Sequence, residues 1–258
     1  ALLLEHSRGA LQRLITDQEA QREARKHSAL RLIAELLIDC AACRRSVASE
    51  KTVEQQAINQ LREAVRQREQ RCVEALLKLY GFRPQDAAAS DLPLLDGRWG
   101  DDLFNPETLK QLGVRVGSGI AAGAAAGAGV DLMVGGLTLG AAALAGAIAG
   151  GALQTARSYG SRLLGKLKGQ RELTVDDSVL RLLALRQRQL LHALNARGHA
   201  AVDSIQVATP QDKTWREGKL PEPLNKARAY PQWSSLNPHP KLSQAERQEQ
   251  IELLAEQI

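Results

Sequence analysis

The sequence has few aromatic residues, with three Trp, three Tyr and two Phe among 258 positions. A β-sandwich or β-barrel core relies on aromatic and β-branched side chains, so this composition argues against an all-β fold. Cysteine is also rare: three residues are too few for a disulfide framework, and a reducing compartment is expected. The opening leucines meet Glu5, His6 and Arg8 too soon for the apolar core of a signal peptide, so none is predicted.

Motifs for metal, redox or nucleotide chemistry are weak. Cys40 and Cys43 have the spacing of a redox or metal pair, but they fall within a helical apolar seam. Even if Cys72 approaches from a partner helix, a fourth zinc ligand is missing, so all three are interpreted as small buried apolar residues. The segment 160–167 approaches a P-loop, but Leu167 replaces the Mg²⁺-binding Ser or Thr and no strand precedes it. We therefore predict no nucleotide site in this chain.

The remaining polar and aromatic residues form no catalytic constellation. The five histidines lack metal-ligand spacing. Asp176 and Asp177 could act as a general acid and a general base, but a helix-capping role accounts for them first. Trp215, Trp233 and Tyr230 could stack on nucleic-acid bases, but in a proline-rich segment they are expected to anchor that segment to the helices. We predict a non-enzymatic chain with no cofactor or metal and no nucleic-acid partner.

What the sequence has instead is a tract over 113–151 in which 12 glycines and 12 alanines fill 24 of 39 positions. The tract has no strict three-residue period, which excludes collagen, and almost no charge or proline, which excludes generic disorder. Asp131 divides it, and glycines recur four residues apart on both sides, as in small-xxx-small helix contacts. This pattern predicts a helical hairpin with Asp131 at its tip. The predicted helix-packing residues are Gly119, Gly123, Gly127, Gly136, Gly140, Gly146 and Gly150.

The charges that flank the tract indicate a membrane role. At about 1.5 Å per residue, the uncharged runs 116–130 and 132–156 would span roughly 22 and 37 Å, and a bilayer core is about 30 Å thick. Only the second run is long enough to cross. Nine basic and three acidic residues follow over 154–198, and basic residues on both open sides favour the cytoplasmic face. The predicted membrane-surface residues are Arg157, Arg162, Lys166 and Lys168. A soluble hairpin packed within a helical core is the alternative.

Helical periodicity dominates the rest of the chain, and the predicted fold class is all-α. Apolar residues at steps of three and four predict one helix within 1–48 and a second from Thr52 to Tyr80, with Gly81 as its left-handed C-cap. Capping-box patterns begin at Thr52, Thr174 and Ser243. Strand signals are confined to the vicinity of Leu173 and Val207.

The two helical seams predict an antiparallel pair. Their residues are Ala29, Ile33, Leu36, Cys40 and Cys43 on the first helix, and Ile58, Leu61, Val65, Arg68, Cys72, Ala75 and Leu79 on the second. The predicted organisation is an antiparallel coiled-coil-like pair (1–82), a connector (83–104), a glycine-zipper hairpin with a basic flank (105–170), an amphipathic helix (171–205), and an irregular Pro-rich strap with a C-terminal helix (206–258).

Several strings in this order resemble a bacterial family, domain of unknown function 3482. They are 33–45, the glycine hairpin, 173–183, 197–199, 215–221 and 227–234. The resemblance covers nearly the whole chain and implies an Era-like small GTPase domain upstream, which would hold GTP and Mg²⁺, and a membrane protein as a partner. Because the chain starts without Met and within a helical pattern, we expect it to be part of a longer protein.

The predicted function is therefore a non-catalytic output and membrane-association module of a bacterial GTPase. It is expected in the bacterial cytoplasm, peripheral or re-entrant at the inner membrane. Expected partners are the upstream GTPase domain, a membrane protein, anionic lipid and a second copy of the chain. The alternatives are a soluble oligomerisation scaffold with the hairpin buried in its own core, and a pore-forming hairpin protein.

Overall fold

The computed structural model describes residues 2–48, 50–83, 92–105, 107–108, 130–133, 170–197 and 215–258. The elements are α1 (Leu2–Ala42), β1 (Arg44–Ala48), α2 (Lys51–Leu79), β2 (Val130–Met133), β3 (Gln170–Val175), α3 (Asp177–Arg197), α4 (Glu222–Ala227), a short 3₁₀ helix (Pro231–Trp233) and α5 (Ala245–Ala255). These residues are mostly helical, which confirms the predicted fold class. A small antiparallel sheet is added to the helices.

The C-terminal half of α1 lies at the centre of the helical core. All five residues of its predicted seam are buried, with Ala29, Ile33, Leu36 and Cys40 fully inaccessible. The helices α2, α3, α4 and α5 all contact α1. Residues 11–28 of α1 are exposed, as their polar sequence indicated. Within this helix of 41 residues, 29–42 pack in the core and 11–28 form an exposed arm.

The helices α1 and α2 are antiparallel, as predicted. Asp39 of α1 pairs with Arg68 of α2, while Leu32, a few residues earlier on α1, accepts a hydrogen bond from the later Cys72 thiol. The α2 seam is buried at Ile58, Leu61, Val65 and Cys72, and near the C-terminal end of the helix burial shifts to Glu69, Val73, Leu76 and Leu77.

The predicted ends of these helices are only partly confirmed. Gly81 follows α2 with a φ of +78°, and N–H groups of Gly81 and Phe82 cap the last carbonyls, as the C-cap prediction required. The predicted capping box at Thr52 is wrong, because the Thr52 hydroxyl bonds to the Glu50 carboxylate instead of to the helix backbone. The capping box predicted from Thr174 is also wrong, because Thr174 lies in β3 and the cap of α3 is Asp176, which accepts the Ser178 N–H at 2.7 Å.

The first helix ends earlier than predicted, and residues 44–48 form β1 instead. The side chain of Asn237 ends the helix: its Nδ2 donates to the Ala42 carbonyl at 3.1 Å, and its Oδ1 accepts the Arg44 N–H at 3.0 Å. One distant side chain thereby satisfies a helix-terminal carbonyl and a strand N–H. The local sequence could not indicate this, since Asn237 is 193 residues from Arg44.

The sheet has the order β1-β3-β2, so the central strand is β3, which contains the strand signal predicted near Leu173. β1 pairs antiparallel with β3, with Arg44 opposite Thr174 and Ala48 opposite Gln170. β2 pairs antiparallel with the other edge of β3, with Val130 opposite Val175 and Met133 opposite Glu172. The sheet therefore joins the end of α1 to the middle of the glycine-rich tract.

The C-terminal segment is more regular than the irregular strap that was predicted. Its described part contains α4, the 3₁₀ helix and α5. Pro223 occupies the first turn of α4, where its missing N–H costs no helical hydrogen bond. The predicted last helix is confirmed as α5, although its N-cap is Gln244 without a side-chain cap, so the capping box at Ser243 is wrong.

Candidate functional site

Most of the sequence-predicted site residues lie outside the described residues. These are the helix-packing residues Gly119, Gly123, Gly127, Gly136, Gly140, Gly146 and Gly150, and the membrane-surface residues Arg157, Arg162, Lys166 and Lys168. Their roles stay predictions. Among the helices in the described ranges, none combines the length and the apolar character that a membrane span needs.

Asp131, the predicted hairpin tip, lies in β2 opposite Thr174 of β3. The segment between the two uncharged runs is therefore an extended, paired strand and not a turn between two helices. The reason is long-range: a four-residue strand forms here because β3 offers a free edge. As a consequence, the midpoint of the tract is attached, through β3 and β1, to the helical body formed by α1 and the helices that pack against it.

A buried polar junction fixes α1 within this body. Asp39 is 2% exposed, and its carboxylate accepts a hydrogen bond from Arg68 Nε at 2.6 Å and lies 3.4 Å from Arg247 Nη2. The backbone N–H and hydroxyl of Ser235 also donate to it, at 2.8 and 2.9 Å. The hydroxyl of Ser234 donates to the Asp39 carbonyl at 2.7 Å. One carboxylate thus holds α1, α2 and the C-terminal segment together, which sequence reasoning missed.

Aromatic side chains anchor the C-terminal segment, as predicted. Trp215 and Trp233 are 3% and 0% exposed, so neither ring is available to stack on a nucleic-acid base. Tyr230 stacks on Trp233 with ring centroids 4.4 Å apart. The indole N–H of Trp233 donates to Gln244 at 2.7 Å.

Two arginines of α3, Arg181 and Arg186, are buried, although they belong to the basic stretch 154–198. Arg181 is buried and donates to the carbonyls of Trp215 and Gly218 at 2.9 and 2.6 Å. Arg186 is 3% exposed. Both guanidinium groups therefore hold loops in place, and they are not available to a membrane or a nucleic acid.

A polar groove of about 820 Å³ lies between α2 and the segment 98–103. A tight turn at Asp96 and Gly97 reverses the chain there, with Leu95 and Arg98 exchanging both backbone hydrogen bonds. This turn directs the following residues, including Trp99, along the side of α2.

The floor of the groove contains a buried ion pair. Glu69 is 6% exposed, and its carboxylate lies 3.6 Å from Arg186 Nη1. The Arg186 guanidinium also donates to the Asp101 carbonyl at 2.8 Å and lies 5.3 Å from the centre of the Trp99 ring. Burial raises the pKa of Glu69 to about 7, while Arg186 favours the charged carboxylate and limits the rise.

The three thiols are buried and chemically inert at neutral pH. Burial raises the pKa of Cys43 to about 11 and that of Cys72 to about 12, and it raises the pKa of Cys40 well above its usual value. Within the described part of the chain, no three His, Cys, Asp or Glu side chains are close enough to hold a metal ion. The burial of all three thiols confirms the interpretation of the cysteines as small buried residues.

Comparison with family models gives a match to residues 1–256 for DUF3482, a domain of unknown function. The chain belongs to the DUF3482 family. Searches among curated proteins and among solved structures found no match to it. In this DUF3482 chain, two of the strings that carry the resemblance, 33–45 and 227–234, meet at the junction where Ser234 bonds to Asp39.

Asp39→Asn is expected to lower the free energy of unfolding of the DUF3482 chain by about 3–5 kcal/mol. The substitution keeps the size of the side chain but leaves two buried guanidinium groups without a compensating charge. Asp17→Asn on the exposed arm is the control and should change stability by less than about 0.5 kcal/mol. Equal denaturant midpoints for both variants would show that the junction does not stabilise the fold.

Glu69→Gln is expected to remove a pH dependence of stability. Because the folded-state pKa of about 7 exceeds the ordinary value of 4.5, folded wild type binds the extra proton and loses stability as pH rises from about 4.5 through 7. The free energy of unfolding of the variant, measured relative to wild type, should increase by up to about 3 kcal/mol from pH 5 to pH 8. Denaturant unfolding at both pH values measures this, and a constant difference would contradict it. Glu63→Gln, an exposed acid of the same groove, is the control.

Proposed function

We propose that this chain is the non-catalytic output module of a bacterial GTPase, in which α1 transmits movements of an upstream GTPase domain to the glycine-rich tract at the inner membrane. The observation that carries the proposal is the form of α1. Its residues 11–28 are exposed, and the same helix continues without interruption to the buried Asp39. On the exposed arm, Leu11, Leu14 and Ile15 form an apolar stripe, which in this proposal contacts the upstream domain.

Support for transmission comes from the connection between α1 and the tract. β1 begins two residues after the end of α1, and it is hydrogen-bonded to β3 along five residue pairs. β3 in turn pairs with β2, which lies between the two uncharged runs of the tract. A shift of α1 along its axis would therefore act on β2 through paired strands, which resist sliding because hydrogen bonds and side-chain faces fix their register.

The membrane contact that we propose is peripheral or re-entrant. β2 keeps the midpoint of the tract at the sheet. The two uncharged runs on either side of Asp131 would therefore approach the bilayer separately, and each would be connected to the sheet. Arg157, Arg162, Lys166 and Lys168 would contact anionic headgroups, at about 1 kcal/mol for each basic residue near the surface.

Vesicle flotation tests the membrane part of the proposal. Reversal of Arg157, Arg162, Lys166 and Lys168 to Glu should move the chain from the floating fraction to the soluble fraction with vesicles that contain anionic lipid. The matched control reverses four exposed lysines elsewhere and gives the same net charge: Lys26, Lys51, Lys78 and Lys219. This control should float like wild type. Equal flotation of wild type and the first variant would refute headgroup contact at these four residues.

The output role is tested in the longer protein that includes the upstream GTPase domain. We expect flotation to differ between the GDP-bound form and the form with a non-hydrolysable GTP analogue. Gln21→Pro should abolish this difference, because proline interrupts the exposed arm at a cost of about 3 kcal/mol without touching the buried half of α1. Gln21→Ala should preserve it. A nucleotide effect that survives Gln21→Pro would mean that α1 does not transmit the signal.

A further inference from the structure

The groove between α2 and the segment 98–103 carries two cationic side chains that the fold does not use. Arg71 and Arg98 both line it and are exposed. Arg71 Nε donates to the Gln67 carbonyl of its own helix at 3.3 Å, and within the described ranges neither arginine forms an ion pair. Two guanidinium groups in one groove, each with free N–H donors, are suited to an oxyanion.

The other two arginines of the groove are paired with acids. Arg66 makes two hydrogen bonds to the Asp102 carboxylate, at 2.9 and 3.1 Å, and Arg186 pairs with Glu69 on the floor. Asp101 is left as an exposed acid on the rim. Glu63 lies 3.6 Å from Arg66 Nη1, so four arginines and four acids line the groove in all. Among these arginines, Arg71 and Arg98 are the two that form no ion pair within the described ranges, and a ligand can use their N–H donors.

The size of the groove and an unused hydrogen-bond donor also favour a small-molecule ligand. The groove volume of about 820 Å³ lies within the range of small-molecule sites, which is about 300–1,000 Å³. The indole N–H of Trp99, which borders the groove, is buried and has no hydrogen-bond partner. A buried donor without a partner costs about 1–3 kcal/mol, which an acceptor on a ligand could recover.

We propose that this groove is a binding site for a phosphate monoester, held by the guanidinium groups of Arg71 and Arg98. Planar guanidinium groups bind phosphate oxygens in pairs, and Arg keeps its charge throughout the physiological pH range. The site is separate from the glycine-rich tract and does not depend on the proposed function. The same chemistry is present in a soluble phosphorylated metabolite and in the headgroup of phosphatidic acid.

Titration calorimetry with glycerol 3-phosphate tests the soluble source, and vesicles with and without phosphatidic acid test the lipid source. With at least one probe, Arg71→Ala/Arg98→Ala should bind at least about tenfold more weakly than wild type, since two charged hydrogen-bond donors are lost. The control, Lys51→Ala/Lys78→Ala, removes two exposed cations of α2 outside the groove and should bind within about twofold of wild type.

The probe that shows this pattern identifies the source of the ligand. Because both arginines are exposed, the double variant should unfold at the same denaturant concentration as wild type, which separates lost binding from lost folding. Absence of binding by wild type to both probes would overturn the proposal. Equal binding by wild type and the Arg71→Ala/Arg98→Ala variant would also overturn it.

Discussion

The buried carboxylate of Asp39 is the contact on which the rest of the described structure depends. It receives hydrogen bonds from α2 and from the C-terminal segment, and its partners Arg68 and Arg247 are themselves largely buried. A buried charge is tolerated only when it is paired and hydrogen-bonded, so the arrangement of these elements on α1 must keep the partners of Asp39 in place. Asn237 adds a second constraint, since it ends α1 and positions the first residue of β1.

This arrangement divides α1 into a fixed half and an exposed half. The fixed half continues into β1 and, through β3, reaches β2 in the glycine-rich tract. The proposed output role rests on this physical continuity: the exposed arm and the junction residue Asp39 belong to one uninterrupted helix. The polar groove is lined by the same turns of α2 that carry Arg68, although Arg68 itself does not line it. Ligand binding there and the junction would therefore share a helix without sharing residues.

Local sequence signals located the longer helices and β3, but not β1 or β2. Steps of three and four residues identified the buried seam of α1, and Gly81 marked the end of α2, because periodicity and a left-handed cap are local properties. β1 was predicted as helix and Asp131 as a hairpin tip, since a strand of four or five residues is decided by its partner. The Asp39–Arg247 contact joins residues 208 positions apart, which spacing in one sequence cannot indicate. Two acids in helical segments stand out in the sequence, Asp39 on α1 and Glu69 on α2. Nothing in the local sequence identifies the arginines that pair with them.

Hydrogen–deuterium exchange at residues 130–133 most directly tests whether the middle of the tract is attached to the helical body. Amides of β2 that pair with β3 should exchange more slowly than those of an unstructured peptide of the same sequence, because strand pairing must open before they exchange. Slow exchange in β2, together with slow exchange in β3, is the expected result. Exchange of residues 130–133 at the rate of the free peptide would contradict the attachment, and with it the route from α1 to the tract.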